Sequence, residues 1–281
     1  MTPHHLAPVG VLGAGFLGAP LAESLAPRPV IATTRSGRSR AGHPHITSRP
    51  LDLLDATPAQ IAQIFADARA LVLSYAAGPH QDRRQIYLEG ARRALEAAKT
   101  LDLERLIYTS STSALPDHEG HLDETCTQRP LGERGLIQRE AEDLVIDACE
   151  RHKIPWFVLR LAGLYGPGRG LGRIYRHDPE SPLAGDGMQA TNLIHRDDAI
   201  TAIRAALAAP AHVSALVHVC DDDHRPRRAI FAQLAAAEGL PEPRWQHPPA
   251  ALEPTGKRVD NTRMKQLLGV ELRYPQHTLA P

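Results

Sequence analysis

The sequence predicts an α/β fold built on a doubly wound parallel sheet, on three observations. Short apolar runs such as VGVL (9–12), VIAT (30–33), LVLS (71–74) and LIYT (106–109) recur between segments of helical periodicity. The runs are apolar throughout rather than alternating, as strands read when both faces of a sheet are covered. A glycine-rich turn, Gly13-Ala14-Gly15-Phe16-Leu17-Gly18, follows the first run and opens the first helical segment.

The elements follow in order. The strand at 9–12 precedes a helix over 16–26, and the strand at 30–33 precedes a weaker one over 46–51. Thr57 and Pro58 read as the cap and first residue of a helix reaching about 67. The strand at 71–74 leads to a helix over 81–99, and the fifth strand, at 106–109, to one over 136–149. In that last helix Ile137, Ala141, Leu144, Val145 and Ala148 share one face. A sixth strand spans 155–161. From 163 to 186 glycine and proline rise and periodicity fades, which reads as a functional loop region. A helix over 197–208 and a strand over 216–219 follow, then a helical, proline-rich C-terminal part. This organisation predicts a Rossmann-type domain over 1–165, completed by 196–220. A small substrate-side lobe takes 166–195 and 221–281.

The 281 residues suffice to bury a large core, and 32 basic residues balance 32 acidic ones. With no long block of like charge, neither nucleic acid nor an anionic membrane is an expected partner. The basic cluster Arg35, Arg38 and Arg40 is short and local. Cys126, Cys149 and Cys220 are odd in number, far apart and without a CxxC pair, as suits reduced thiols in a cytoplasm. Neither a signal peptide nor a membrane span is expected.

In a strand–turn–helix setting, GxGxxG predicts a dinucleotide site. Gly13 allows the tight turn, Gly15 lets the backbone approach a pyrophosphate, and Gly18 lets helix and strand pack closely. Phe16 and Leu17 belong to the same turn. NAD sites carry an acidic residue at the end of the second strand, where it bonds the ribose 2′-hydroxyl. This chain has Thr34-Arg35-Ser36 there. Arg35 can pair with a 2′-phosphate, and Thr34 and Ser36 can add hydroxyl donors. NADP(H) is therefore the preferred cofactor, with NAD(H) possible.

Several further segments resemble the extended short-chain dehydrogenase/reductase family, which contains NAD(P)-dependent epimerases, dehydratases and reductases. They are Asp52-Leu53, Ile107-Tyr108-Thr109-Ser110-Ser111-Thr112, the stretch from Leu159-Arg160-Leu161 to Gly168-Arg169, and Asn192-Leu193-Ile194-His195-Arg196-Asp197-Asp198. With the glycine turn they cover nearly the whole chain in the family's order. The resemblance implies that Asp52 and Leu53 read the adenine and that Ser111 is the catalytic serine. It also implies that Ser74, Tyr75, Ala76, Thr109, Ser110, Leu161, Ala162 and Leu164 line the cofactor. Arg169 and Asn192 become the substrate-side candidates.

The chain departs from that family at its centre. Redox members carry YxxxK after the serine strand, usually with a glutamate four residues past the lysine. Glu142 and Gly135 fit that frame, which puts Arg134 at the tyrosine position and Gln138 at the lysine position. No tyrosine lies between Tyr108 and Tyr165, and no lysine between Lys99 and Lys153. The tyrosine exchanges the alcohol proton as hydride moves, and the lysine lowers its pKa. Arg134 keeps a charge but cannot act as a base, and Gln138 can bond a ribose but depress no pKa. The pattern is most similar to an atypical branch of the family that often lacks the tyrosine.

Tyr165, in a Tyr-Gly-Pro-Gly turn, is a candidate to replace the missing phenol, but active relatives that keep that phenol carry this tyrosine too, which favours a structural role. His118 and His121, with Asp117, Glu119 and Asp123, read as a solvated loop, and Asp221-Asp222-Asp223-His224 as caps and turns. No metal site is expected. His195 is expected to orient its loop. A homodimer is possible through the helices at 81–99 and 136–150, where Tyr87, Leu95 and Leu144 serve either an interface or the core. Two functions stay open. One is an NADP-dependent oxidoreductase or epimerase acting on a small or sugar-like carbonyl compound. The other is a non-catalytic NADP-binding sensor or regulatory protein.

Overall fold

A computed structural model of the chain describes residues 7–38, 43–175 and 181–278. Arg40 lies outside the described residues. The centre is a seven-stranded, all-parallel sheet in the order β3-β2-β1-β4-β5-β7-β10. Its strands are β1 (Val9–Leu12), β2 (Val30–Thr34), β3 (Ile46–Pro50), β4 (Ala70–Leu73), β5 (Arg105–Ser111), β7 (Trp156–Leu161) and β10 (Ala215–Val219). The order reverses between β1 and β4, so a crevice opens beyond their carboxyl ends, where doubly wound sheets bind ligands.

Successive strand residues point to opposite faces, and helices cover both. Val9, Val11, Val72, Ile107 and Leu159 pack with α1 (Gly18–Ser24), α6 (Arg196–Ala208) and α8 (Thr262–Leu268). Leu12, Leu71, Leu73, Leu106 and Tyr108 pack with α2 (Pro58–Ile64), α3 (Gly90–Ala98) and α4 (Glu133–His152). This double burial is why the strands read as unbroken apolar runs.

Local signals set several boundaries. Thr57 and Gln60 form a reciprocal capping box at α2. The segment expected as one helix over 81–99 starts with a π-helical turn, Gln85–Glu89, which continues into α3. Asp82 caps it by accepting from the N–H groups of Arg84 and Gln85 at 2.7 and 3.1 Å. Outside the main sheet, β6 (Gly120–Leu122) pairs in parallel with β11 (Lys257–Val259), and β8 (Gly163–Tyr165) with β9 (Leu193–His195). The short α5 (Leu171–Ile174) follows β8, and α7 (Arg227–Glu238) precedes β11.

Leu95 belongs to the core, and Tyr87 and Leu144 pack against the same core. Ion pairs also join or flank these helices, among them Arg84–Glu140, Arg93–Glu89 and Arg139–Asp143. No helix among the described residues is long and apolar enough to cross a membrane.

Candidate active site

The glycine turn closes the carboxyl end of β1. Gly13 has φ +103°, and a Cβ there would stand 2.7 Å from the Ser74 carbonyl oxygen. A Cβ on Gly18 would stand 2.2 Å from the Gly13 carbonyl oxygen. Packing within the protein therefore demands both glycines. A Cβ on Gly15 would meet nothing within 4 Å. The space beside Gly15 is open, as a ligand phosphate approaching the backbone requires. Thr33 braces the turn by accepting from Gly13 N–H at 3.2 Å. Phe16 and Leu17 complete it, and Leu17 packs into the core.

At the end of β2, Arg35 is exposed and has no partner among the described residues. The neighbouring hydroxyls serve the turn around Gly37. Thr34 Oγ1 donates to the Arg38 carbonyl, and Ser36 Oγ accepts from Arg38 N–H, each at 3.3 Å. Ser36 keeps its own proton for a ligand. Asp52 accepts from Leu54 N–H at 3.0 Å, and Leu53 is buried against Gly90. Ser74, Tyr75 and Ala76 follow β4 directly. The Tyr75 ring stands 6.4 Å from both Tyr87 and Tyr108, and burial pushes its pKa far up.

The serine strand divides its residues. Ser111 Oγ accepts from Ser113 N–H at 3.1 Å, which leaves its proton free to donate to a ligand oxygen. Thr109 Oγ1 donates to the Leu73 carbonyl at 3.1 Å. Ser110 departs from the expectation of a cofactor contact. It is buried, and its hydroxyl donates to Glu142.

Gln138 departs in the same way. Instead of facing a ribose, its amide points into the core and donates to Tyr108 Oη at 2.9 Å and Ser110 Oγ at 3.2 Å. Beneath it, Glu142 and Arg160 form an ion pair in which both side chains are 1% exposed. Arg160 Nε and Nη2 reach the carboxylate at 3.0 and 2.8 Å, and Nη1 lies 3.4 Å from His218 Nε2. Arg134 is exposed on the first turn of α4, without an ion pair among the described residues. The next residue, Gly135, touches the turn that carries Ser111, since a Cβ there would lie 2.4 Å from the Ser113 carbonyl oxygen.

Tyr165 is not a replacement phenol. Its side chain is 1% exposed and packs edge-on against His195, with ring centroids 5.1 Å apart. Burial raises its pKa to about 12, against hydrogen bonding with Thr278 that works the other way. His195 caps α6, its Nδ1 accepting from Asp197 N–H at 3.2 Å, and its ring stacks on Tyr274 at 3.8 Å. Asn192 also differs from a substrate contact. Its amide donates to the Lys257 carbonyl at 2.9 Å and accepts from Val259 N–H at 2.8 Å, which clamps β11 in place. Leu161, Ala162 and Leu164 pack into the core that underlies the crevice. Arg169 is exposed on the loop after β8.

Two features had no sequence signal. Lys257 Nζ donates to the carbonyls of Leu115 and Pro116 at 3.3 and 3.4 Å, pinning the segment after Ser111, and burial lowers its pKa. His277, near the C-terminus, bonds Asp221 at 2.6 Å through Nδ1 and Thr191 Oγ1 at 2.9 Å through Nε2. This chain resembles a hydrolase triad but has the wrong polarity. Thr191 donates its proton to the Arg225 carbonyl at 2.7 Å, so it receives a hydrogen bond from His277 rather than giving one up. Burial raises the Asp221 pKa to about 6.

The profile of the NAD dependent epimerase/dehydratase family matches residues 9–219. The chain belongs to this family. It is 32% identical over 284 residues to protein YeeZ of Escherichia coli K12, covering 97% of this chain and 98% of that one. It is 29% identical over 213 residues to a 3-diazoavenalumate denitrifying reductase of a Streptomyces species, covering 66% of this chain and 67% of that one. Among solved structures it is similar to UDP-glucuronic acid 4-epimerase of Bacillus cereus in complex with NAD. That match has a TM-score of 0.77 and 19% identity over 97% of this chain and 94% of the other. The likeness supports the fold.

Proposed function

We propose that this family member is an NADP(H)-dependent oxidoreductase acting on a small or sugar-like carbonyl compound, with water rather than a tyrosine as the proton source. The observation that carries the reading is the glycine turn, open to a ligand at Gly15, with Arg35, which has no partner among the described residues, at the neighbouring strand end. Gly13, Gly15 and Gly18 would hold the dinucleotide, and Arg35 with Ser36 its 2′-phosphate. The cofactor, when bound, supplies a hydride. Ser111 would donate a hydrogen bond to the carbonyl oxygen. Arg134, permanently charged, would stabilise the negative charge on that oxygen until water protonates it. In this reading residues 1–165 and 196–220 carry the cofactor, and 166–195 with 221–281 form the substrate side.

The test is paired. NADPH and NADH are titrated against the protein, and a panel of small and sugar-like carbonyl compounds is then screened by loss of dihydronicotinamide absorbance. Tighter NADPH binding, and turnover that falls in Ser111→Ala, support the reading. A second reading is favoured by the buried Gln138, which uses the relay position to build the core. It is a non-catalytic NADP-binding sensor or regulatory protein. Saturable NADPH binding with no turnover across the panel selects it. Gel filtration at micromolar concentration tests a homodimer in either case.

A further inference from the structure

A cleft of about 780 Å³ lies between α1 and the loop from Pro167 into α5. Phe16, from the glycine turn, lines it. The guanidinium carbons of Arg169 and Arg196 stand 5.5 and 5.4 Å from the centroid of that one ring. Arg173 lines the same cleft and donates to the Gly168 carbonyl at 3.4 Å. Arg196 leans on Asp197 at 3.3 Å. Arg169 and Arg173 pair with no carboxylate among the described residues. Among the described residues, Glu23 is the acidic residue that lines the cleft.

An aromatic face attracts a cation but does not neutralise it. Guanidinium groups gathered around one ring repel each other unless an anion sits among them. The planar fork of arginine matches the oxygens of a phosphate, and several forks can grip one phosphoryl group. Arg35 does not line this cleft, so the 2′-phosphate is not the anion it awaits.

We propose that Arg169, Arg173 and Arg196 form a phosphate clamp over Phe16 that binds a phosphoryl-bearing ligand. The clamp deepens the cofactor reading and rests on it for one of two sources. The phosphate is either the pyrophosphate of the dinucleotide, lying on Gly15 and Phe16, or a phosphate carried by the substrate. Both present the same chemistry to the arginines.

Isothermal titration of the full chain tests it, with inorganic pyrophosphate and NADPH as separate probes. The proteins are the wild type, the double variant Arg169→Ala/Arg173→Ala and Arg35→Ala. The two removed arginines are exposed, so the double variant is expected to keep the wild-type melting temperature. Pyrophosphate binding weakened at least about tenfold in the double variant, and unchanged in Arg35→Ala, supports the clamp. If NADPH affinity falls in parallel, the source is the dinucleotide. If NADPH affinity holds, and the NADPH-saturated protein still takes pyrophosphate in an arginine-dependent way, the source is the substrate. Pyrophosphate that fails to bind the wild type, or binds the double variant equally well, overturns the clamp whatever NADPH does. Pyrophosphate binding without NADPH binding overturns the cofactor reading and leaves the clamp standing.

Discussion

Gln138 donates a hydrogen bond from its buried amide to the phenol oxygen of Tyr108 at 2.9 Å. The position that would carry a relay lysine thus ties α4 to β5 through the core. Replacing Gln138 with leucine leaves Tyr108 Oη and Ser110 Oγ without this donor. The expected cost is about 1–3 kcal/mol in urea unfolding, with NADPH affinity unchanged. A fall in NADPH affinity at constant stability would instead place the amide on the cofactor ribose.

The Glu142–Arg160 pair, with both side chains 1% exposed, gives a larger effect. Glu142→Leu leaves a buried guanidinium unpaired and is expected to cost about 3–5 kcal/mol. Changing Glu142 to leucine and Arg160 to methionine together should recover most of that loss, because no isolated charge remains. Equilibrium unfolding of the two single variants and the double variant gives the coupling directly. Additive losses would mean that the charges do not depend on one another.

Gly15 and Gly18 are expected to separate binding from folding. Gly18→Ala forces a Cβ against backbone at 2.2 Å and should lower the melting temperature sharply. Gly15→Ala projects into open space and should fold normally while weakening NADPH binding at least about tenfold. Equal NADPH affinity in Gly15→Ala and wild type would remove the turn from the cofactor site.

Legibility in the sequence followed the range of the interactions. The main strands were readable because burial on both faces makes them apolar throughout, and α2 because Thr57, Pro58 and Gln60 carry its cap locally. The three-residue strands β6, β8, β9 and β11 are too short to show a period, and they form through partners distant in the chain. The glycine turn and Arg35 were visible as a motif. The direction of the Gln138 side chain was not, since it is set by Tyr108 and Ser110, 30 and 28 residues away. Asn192, matched as part of a family segment, is engaged by the backbone of β11, 65 and 67 residues later. Motif spacing locates a residue on an element. Whether its side chain faces the crevice or the core depends on tertiary partners that spacing does not encode.

His218 supplies a test of the buried network through pH. Burial, and then the nearby charge of Arg160, lower its pKa from 6.5 to about 4. Between those values the unfolded chain binds a proton that the folded chain does not, so this contribution to stability falls as pH falls. The full difference corresponds to about 3 kcal/mol, present above pH 6.5 and lost by about pH 4. Asp221 acts in the opposite sense. Its pKa is raised to about 6, so its contribution is complete below 3.8 and declines as pH rises through 6. The two oppose each other over about pH 4–6, and the wild-type profile alone mixes them. Subtracting the profile of His218→Gln isolates the histidine. The difference in unfolding free energy between wild type and variant should be constant above about pH 7 and shift by about 3 kcal/mol against the wild type by about pH 4. A difference that stays flat across that range would mean that His218 takes up its proton in the folded protein as readily as in the unfolded chain.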